Sequence, residues 1–266
     1  MEEVLIMQCS ICDHVALKEF SHTILSKYES GYYYCDACGF LQTEYPHWLD
    51  EAYSSAIATA DTGLVRRNIG LSKTLTVLLF LIFGRKKKYL DVAGGCGLLT
   101  RLMRDIGFDF FWSDKYCENM FARGFEGEKH GMEFSAVTAF EVMEHVYDPL
   151  SFLTEIMSNS KTRTVIFSTE LFEGKSPQPE VWWYYTFETG QHISFYQKRT
   201  LQTIADKLNL NFYSSGGIHI LTDKKINMRV FQFMTISKVA SALFLVLPRF
   251  MDSKVMTDHQ HIMKNN

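Results

Sequence analysis

The sequence lacks the features of a secreted or membrane-spanning chain. It opens with Met-Glu-Glu and shows neither the basic region nor the small-residue cleavage site of a secretory signal. Its longest apolar runs, residues 75–83 and 239–247, are shorter than the roughly 20 residues that a helix needs to cross a bilayer. We therefore expect a cytoplasmic protein without a transmembrane segment.

An excess of positive charge is also missing. The chain has 27 Lys and Arg against 30 Asp and Glu, which gives a formal net charge of −3. Nucleic acids attract basic surfaces, so this balance disfavours a nucleic-acid partner. The hydrophobic share of 47% and charged share of 21% are typical of a globular protein. A length of 266 residues predicts one large domain with a small attachment.

Cysteine is scarce, but four of the six cysteines form two pairs of equal spacing. Cys9, Cys12, Cys35 and Cys38 make two C-x2-C motifs. Tetrahedral zinc takes four such ligands, whereas a cytoplasmic setting disfavours disulfides. The pattern predicts a structural zinc ribbon over residues 1–45. Its closed shell of four thiolates leaves no open coordination position, so the chemistry must lie elsewhere.

An alternating α/β pattern begins at Tyr89. It reads as strand YLDVA, loop GGCG, helix LLTRLMRDIG, strand FDFFWSD and helix CENMFARGF. Such βαβ units build parallel sheets, whose ligands bind at the carboxyl ends of the strands. A glycine-rich turn lets the backbone approach a cofactor closely, and Asp114, at the end of the second strand, is placed to bind ribose hydroxyls.

Several segments resemble class I S-adenosylmethionine-dependent methyltransferases. The loop from Asp91 has the pattern D-x-A-x-G-x-G, where the family usually has D-x-G-x-G-x-G. SAVTAFEVMEHVYDPLSFL is similar to the family's fourth strand and following helix, and WWYYTFETGQHISFYQKRTLQTIADKLNL to the segment after its fifth strand. The resemblance covers roughly residues 50–225. It implies an α/β fold with a Rossmann-like seven-stranded sheet and S-adenosylmethionine as cofactor.

The resemblance also implies a division of the chain and a set of cofactor contacts. We expect a zinc ribbon over 1–45, a helical lid or linker over 46–88, the methyltransferase domain over 89–225 and a helical tail over 226–266. The methyl group of Ala93 leaves room for a cofactor if the residue has a negative φ, but it crowds the cofactor if φ is positive. We expect the methyl group to be tolerated. The expected cofactor-binding residues are Asp91, Ala93, Gly94, Gly95, Gly97, Asp114 and Glu141.

Transfer of a methyl group to a hydroxyl requires a base for the hydroxyl proton. The candidates are His192, His145 and Glu144, and we expect His192 to act as the general base. An alternative is that the imidazoles only fix loops through hydrogen bonds. The E-x-x-E-H pattern with a later histidine also resembles the metal site of ubiquinone-pathway O-methyltransferases and plant small-RNA 2′-O-methyltransferases. That resemblance implies a second divalent-metal site formed by Glu141, Glu144, His145 and His192.

The acceptor is predicted from aromatic residues. Trp182, Trp183, Tyr184 and Tyr185, with Tyr53, are expected to line a substrate pocket, where aromatic rings suit sugars and planar acceptors; alternatively, the first four plug the end of the sheet. The layout resembles sugar C-methyltransferases, which carry a further C-terminal domain. We expect O-methylation of a small-molecule or saccharide acceptor. An RNA methyltransferase and a non-catalytic scaffold are the alternatives, and the oligomeric state stays open.

Overall fold

A computed structural model of the chain describes residues 5–53, 61–127 and 132–265. Within these ranges the strands form two sheets. The strands, numbered β1 to β11, are Ile6–Gln8, Val15–Ile24, Tyr28–Tyr34, Leu41–Thr43, Lys88–Val92, Asp109–Ser113, Ala136–Ala139, Thr164–Phe167, Ser194–Phe195, Asn211–Ser215 and Ile218–Thr222. The helices, numbered α1 to α8, are Leu49–Ala52, Leu64–Leu78, Leu98–Ile106, Pro149–Asn159, Lys198–Lys207, Met228–Thr235, Ser237–Phe244 and Val255–Asn265.

The larger sheet has the strand order β10-β11-β8-β7-β5-β6. β8, β7, β5 and β6 are parallel to one another, while β11 is antiparallel to both of its neighbours. The sequence predicted a seven-stranded sheet, and the described residues contain six of its strands. At the free edge of β6, a single parallel bridge joins Trp112 to Glu126. The predicted α/β methyltransferase fold is confirmed. Among the described residues, one bridge stands beside β6 where a seventh strand was predicted.

Local sequence explains where these elements begin and end. β7 and β8 are buried along their whole length, as apolar strands at the centre of a parallel sheet should be. α3 ends at Gly107, whose φ of +119° provides a left-handed cap that favours glycine. α2, which is about four turns long, continues into a π-helical turn at Leu79–Phe83, and the chain then enters β5.

The helix predicted over residues 117–125 is absent, and turns stand in its place. The Asp114 carboxylate accepts the backbone N–H groups of Tyr116 and Cys117. The Asn119 side chain likewise accepts the N–H of Ala122. Side-chain bonds of this kind compete with helical backbone bonds, which explains why the prediction was wrong.

The smaller sheet has the order β1-β2-β3-β4-β9 and is antiparallel throughout. The two cysteine motifs lie in the turns after β1 and β3, as a ribbon requires. Its last strand, β9, comes from much later in the chain. The buried ribbon residues Ile11 and Phe40 also belong to the same apolar cluster as Leu201 and Ile204 of α5. The ribbon and the large sheet therefore share a hydrophobic core.

Helices pack against the large sheet. α2 packs against α3, α6 and α7, and their apolar side chains form a second buried cluster with β5 and β6. α8 is fastened by Asp258, which accepts two hydrogen bonds of 2.7 Å from the buried guanidinium of Arg104. Within the predicted tail, the described residues contain the helices α6, α7 and α8. None of the helices in the described ranges has the length and apolar character of a membrane-spanning segment.

Candidate active site

A cavity of about 1410 Å³ opens at the carboxyl ends of β5, β6 and β7. Ala93, Asp114 and Glu141, which follow these three strands, line one part of it. Tyr53 and His192 line another part. Most of the residues expected to bind a cofactor and several of those expected to act on an acceptor thus share one cavity.

The glycine loop supplies one wall of this cavity. Ala93 has a φ of +51°, the conformation in which its methyl group was expected to crowd a cofactor. An L-residue in this left-handed region costs about 1–2 kcal/mol, so Ala93 is strained. Gly95, with a φ of +55°, has open space where a Cβ would stand. At Gly94 a Cβ would lie 2.8 Å from Oδ2 of Asp91, so only glycine fits.

Gly97 differs from its neighbours because it does not line the cavity. It begins α3 with a φ of +85°, and a Cβ there would lie 2.8 Å from Oδ1 of Asn119. Its function is to let the loop turn into the helix against the segment after Asp114. The expectation of direct cofactor contact at Gly97 is therefore corrected to a structural role in the loop.

Backbone donors fix Asp114 in place. Its Oδ2 accepts the N–H of Gly95 at 2.8 Å, and its Oδ1 accepts those of Tyr116 and Cys117 at 2.7 and 2.8 Å. A carboxylate offers about four acceptor positions, so three bonds leave capacity for a ribose hydroxyl. Nε1 of Trp112 donates to the carbonyl of Gly95 at 2.8 Å, which fixes the loop against the next strand.

Asp91 is buried beneath the loop. Its Oδ1 accepts a 2.6 Å hydrogen bond from the Thr138 hydroxyl on β7. Burial raises the pKa of Asp91 to about 7, against the opposing effect of hydrogen bonds from Thr138 and Thr100. Asp91 therefore supports the loop from below and borders the cavity.

Glu144, His145 and His192 form a compact cluster on the other side of the cavity. One ligand-type atom from each lies within 4.8 Å of the others, and the two imidazole rings meet edge to face with centroids 4.8 Å apart. Glu144 is fully buried, and neither of its carboxylate oxygens has a hydrogen-bond partner among the described residues. A buried charged group is normally hydrogen-bonded, so we expect this carboxylate to interact with a group that binds in the cavity.

Backbone carbonyls set the tautomers of both histidines. Nδ1 of His145 lies 3.0 Å from the carbonyl of Gln191, and Nδ1 of His192 lies 2.6 Å from that of Tyr184. A carbonyl only accepts, so each Nδ1 carries the proton and each Nε2 keeps its lone pair. Burial lowers the pKa of both imidazoles to about 4 and raises the pKa of Glu144 to about 7. At neutral pH both histidines are therefore uncharged.

Glu141 stands apart from this cluster, although the E-x-x-E-H resemblance implied that it shares a metal site with Glu144 and His145. The helical turn covers only Met143–His145 and is a 3₁₀ turn, while Glu141 precedes it with a φ of +53°. Its Oε1 accepts a 2.5 Å hydrogen bond from the Ser168 hydroxyl on the next strand's end. The expected four-residue metal set is thus corrected to three residues, and Glu141 borders the cavity separately.

The aromatic segment of residues 182–185, which follows β8, divides between cavity and core. Trp183, which is 72% exposed, and Tyr184 line the cavity. Trp182 and Tyr185 do not; they pack in an aromatic cluster of the smaller sheet, where Tyr185 stacks on Phe187 with centroids 5.1 Å apart. Their predicted substrate contact is therefore corrected to a core role, because the 3₁₀ turn at this point directs neighbouring side chains to different sides.

Tyr53 lies at the cavity entrance and stacks on Tyr116, with ring centroids 4.8 Å apart. The predicted lid residues Asp61 and Arg67 also line the cavity, joined by a 2.6 Å ion pair. Sequence reasoning missed Trp112 and Ser168, which hold the cofactor loop and Glu141. Both lie on or directly after strands that neighbour the loops they support, and no local motif marks such tertiary partners.

The four ribbon cysteines meet as predicted. The Sγ atoms of Cys9 and Cys38 lie 3.6 Å apart and those of Cys12 and Cys35 lie 3.4 Å apart, with all four within 4.8 Å of one another. Zinc–sulfur bonds of about 2.3 Å in a tetrahedron place the sulfurs about 3.8 Å apart, so this donor set fits zinc.

A family model described as a methyltransferase domain matches residues 66–215, more than half of the chain. A search of curated proteins finds no match.

Solved structures with related folds include three methyltransferases. Magnesium protoporphyrin IX methyltransferase from Synechocystis, with bound SAH, is 13% identical, with a TM-score of 0.42 over 65% of this chain and 90% of that one. An O-methyltransferase family 2 protein from Planctomyces limnophilus, in complex with apigenin, is 11% identical (TM-score 0.41; 66% and 65% of the two chains). An O-methyltransferase family protein from Burkholderia thailandensis is 13% identical (TM-score 0.41; 65% and 66%). This chain spans slightly less than two thirds of the latter two.

The sequence match covers the glycine loop, the acids at the strand ends and the Glu144–His145 turn, and the sheet is of the mostly parallel α/β type that the resemblance implied. The chain therefore belongs to the methyltransferase-domain family, as a class I S-adenosylmethionine-dependent methyltransferase.

Proposed function

We propose that the protein methylates a hydroxyl group of a small-molecule acceptor, with His192 as the general base. The observation that carries the proposal is the cluster itself. An uncharged imidazole with a free Nε2 lies beside a fully buried carboxylate that has no hydrogen-bond partner among the described residues. Such a pair is suited to removing a proton, because the carboxylate stabilises the imidazolium that forms.

The cofactor half fits S-adenosylmethionine. Asp114 retains acceptor capacity for ribose hydroxyls, and the Gly95 backbone borders open space in the cavity. The cofactor supplies an activated sulfonium methyl group when bound. We assign cofactor contacts to Ala93, Gly94, Gly95 and Asp114, with Asp91 supporting the loop and Glu141 bordering the same cavity.

S-adenosylmethionine held by the glycine loop and Asp114 would supply its methyl group to the acceptor oxygen, and S-adenosylhomocysteine would be the leaving group. The hydroxyl proton passes to Nε2 of His192, and the Glu144 carboxylate balances the resulting charge. The Nδ1 bond to the Tyr184 carbonyl keeps the ring oriented throughout. His145 holds the wall of the site through its bond to Gln191. Glu144 is fully buried, and the low dielectric around its carboxylate strengthens the interaction with the imidazolium.

A saccharide is the acceptor class that we favour. Trp183 presents an exposed indole at the cavity, whereas Tyr184 is buried against His192, with ring centroids 4.5 Å apart, and leaves the stacking surface to Trp183. Aromatic faces of this kind stack against sugar rings, while the polar cluster beneath would meet a ring hydroxyl. The acidic overall charge gives no support to an RNA substrate.

Metal ions enter the proposal at two places. We assign structural zinc to Cys9, Cys12, Cys35 and Cys38, where it would stabilise the ribbon. The cluster of Glu144, His145 and His192 also fits a divalent cation, because metal-binding histidines commonly donate their other N–H to a carbonyl, as both do here. A cation there would polarise an acceptor hydroxyl in place of the base mechanism, because a metal-bound Nε2 of His192 could not also accept the hydroxyl proton.

The test is transfer of a labelled methyl group from S-adenosylmethionine to a panel of methyl glycosides and catechols. We expect a product with the parent protein and at least a hundredfold loss of kcat in His192→Gln, from removal of the base. The matched control is His259→Gln, an exposed histidine on α8. Equal turnover by His192→Gln and the parent would refute the assignment of the base, and transfer to RNA but to no small acceptor would refute the substrate class.

A further inference from the structure

β9 connects the four-cysteine ribbon to the candidate active site. Leu41 and Gln42 of β4 pair with Phe195 and Ser194 of β9, and the N–H of Thr43 donates to the carbonyl of Ile193 at 3.1 Å. Ile193 directly follows His192. β4 of the ribbon therefore holds the backbone next to His192, the proposed base.

The same segment is bonded on its other side to the turn that carries Glu144. The N–H of Ile193 donates to the carbonyl of Glu144 at 2.8 Å, and the Ser194 hydroxyl donates to that of Val146 at 2.6 Å. The Tyr196 hydroxyl adds a 2.8 Å bond to the carbonyl of Met143. β9 thus fixes His192 and Glu144 relative to each other.

Gln42 links this strand to the first cysteine motif. Its Oε1 accepts the backbone N–H of Ser10 at 3.0 Å and the Ser10 hydroxyl at 3.1 Å, and its Nε2 donates to the carbonyl of Gln8 at 3.2 Å. Gln8 and Ser10 are the two neighbours of Cys9. Gln42 is only 4% exposed, so its backbone contacts β9 while its buried amide holds the cysteine turn.

The cofactor half shares apolar packing with the ribbon, in the cluster that holds Phe40 and Leu90, but it has no comparable set of hydrogen bonds among the described residues. Asp114 takes its hydrogen bonds from the glycine loop and from residues 116 and 117, and Asp91 takes its bonds from α3 and β7. Among the described residues, no hydrogen bond joins residues 5–43 to Asp91, Gly95 or Asp114. A disturbance of the ribbon should therefore reach His192 before it reaches the cofactor loop.

We infer that the four-cysteine ribbon positions His192 for catalysis, through Gln42 and β9, so that zinc at the ribbon controls the acceptor half of the site. This inference rests on the proposed function, which gives His192 its role. Gln42 is a positioning residue: it touches neither half of the cavity and acts through the strand that follows His192.

The test compares Gln42→Ala with Gln202→Ala, an exposed glutamine on α5, by hydrogen exchange and calorimetry. In Gln42→Ala we expect amides in residues 190–197 to exchange at least tenfold faster, while residues 91–117 and the Kd for S-adenosylhomocysteine change less than twofold. kcat should fall at least tenfold with all four cysteines present. Gln202→Ala should match the parent in each measurement.

Zinc removal provides a second arm. Exposure of the parent protein to EDTA should accelerate exchange in residues 190–197 at least tenfold, with recovery after addition of Zn²⁺ and no comparable change in 91–117. Unchanged exchange in 190–197 in both arms would overturn the inference, as would equal acceleration in both segments, which indicates general destabilisation. Exchange requires no acceptor, so this result stands apart from success or failure of the proposed methyl transfer.

Discussion

Replacement of Glu144 by glutamine should stabilise the protein while it abolishes methyl transfer. The carboxyl group has an ordinary pKa of 4.5, and burial raises it to about 7 in the folded state. Between these values the unfolded chain has already released the proton that the folded protein retains. The free energy of unfolding of the parent therefore falls as pH rises through this window.

The magnitude follows from the two pKa values. Each pH unit across the window is worth about 1.4 kcal/mol, so ionisation of Glu144 costs the folded parent about 3 kcal/mol once the pH exceeds 7. Glutamine has the same shape and no charge. We expect Glu144→Gln to match the parent within about 1 kcal/mol near pH 5 and to exceed it by about 3 kcal/mol at pH 8.

The assay is urea denaturation at pH 5, 6, 7 and 8 without added divalent cations, with Glu188→Gln as an exposed control. The difference between variant and parent isolates Glu144 from Asp91, whose pKa is also raised to about 7. Glu188→Gln should show no pH-dependent difference. A Glu144→Gln protein that is no more stable than the parent at pH 8 would refute the description of this carboxylate as buried and unpartnered.

The remaining predictions concern the tail, the loop and the metal. Asp258→Ala leaves the buried Arg104 without its bidentate partner and should lower the free energy of unfolding, measured by urea denaturation, by about 3–5 kcal/mol. A loss below about 1 kcal/mol would show that the pair is not buried. Ala93→Gly relieves the left-handed strain and should raise the free energy of unfolding by about 1 kcal/mol without weakening calorimetric S-adenosylhomocysteine binding; a weaker complex would contradict this account of the loop. Added Mn²⁺ should raise the thermal midpoint of the parent but not of Glu144→Gln, and an equal rise in both would place the cation elsewhere.

Local patterns made much of the molecule predictable. The spacing of the cysteines and the glycine loop after β5 depend on residues close together in sequence, and both lie where they were expected. The central strands were also predicted, because short segments rich in apolar and β-branched residues such as β7 and β8, set between helical patterns, favour buried strands of a parallel sheet.

Features that depend on distant partners could not be read in the same way. Nothing in the sequence of β4 indicates that it pairs with β9, more than 150 residues later. The side-chain bonds of Asp114 replaced a predicted helix with turns, and Ser168 drew Glu141 away from the expected metal set. The raised pKa of Glu144 likewise arises from burial, which only the folded structure supplies.

The most direct test of the account is calorimetric titration of S-adenosylhomocysteine into the parent, Asp114→Ala and His192→Gln, with methyl transfer measured on the same samples. The account predicts that the parent binds, that Asp114→Ala loses binding at least a hundredfold, and that His192→Gln binds like the parent without turnover. Absence of binding by the parent, or equal binding by Asp114→Ala, would contradict the assignment of this cavity as the methyltransferase active site.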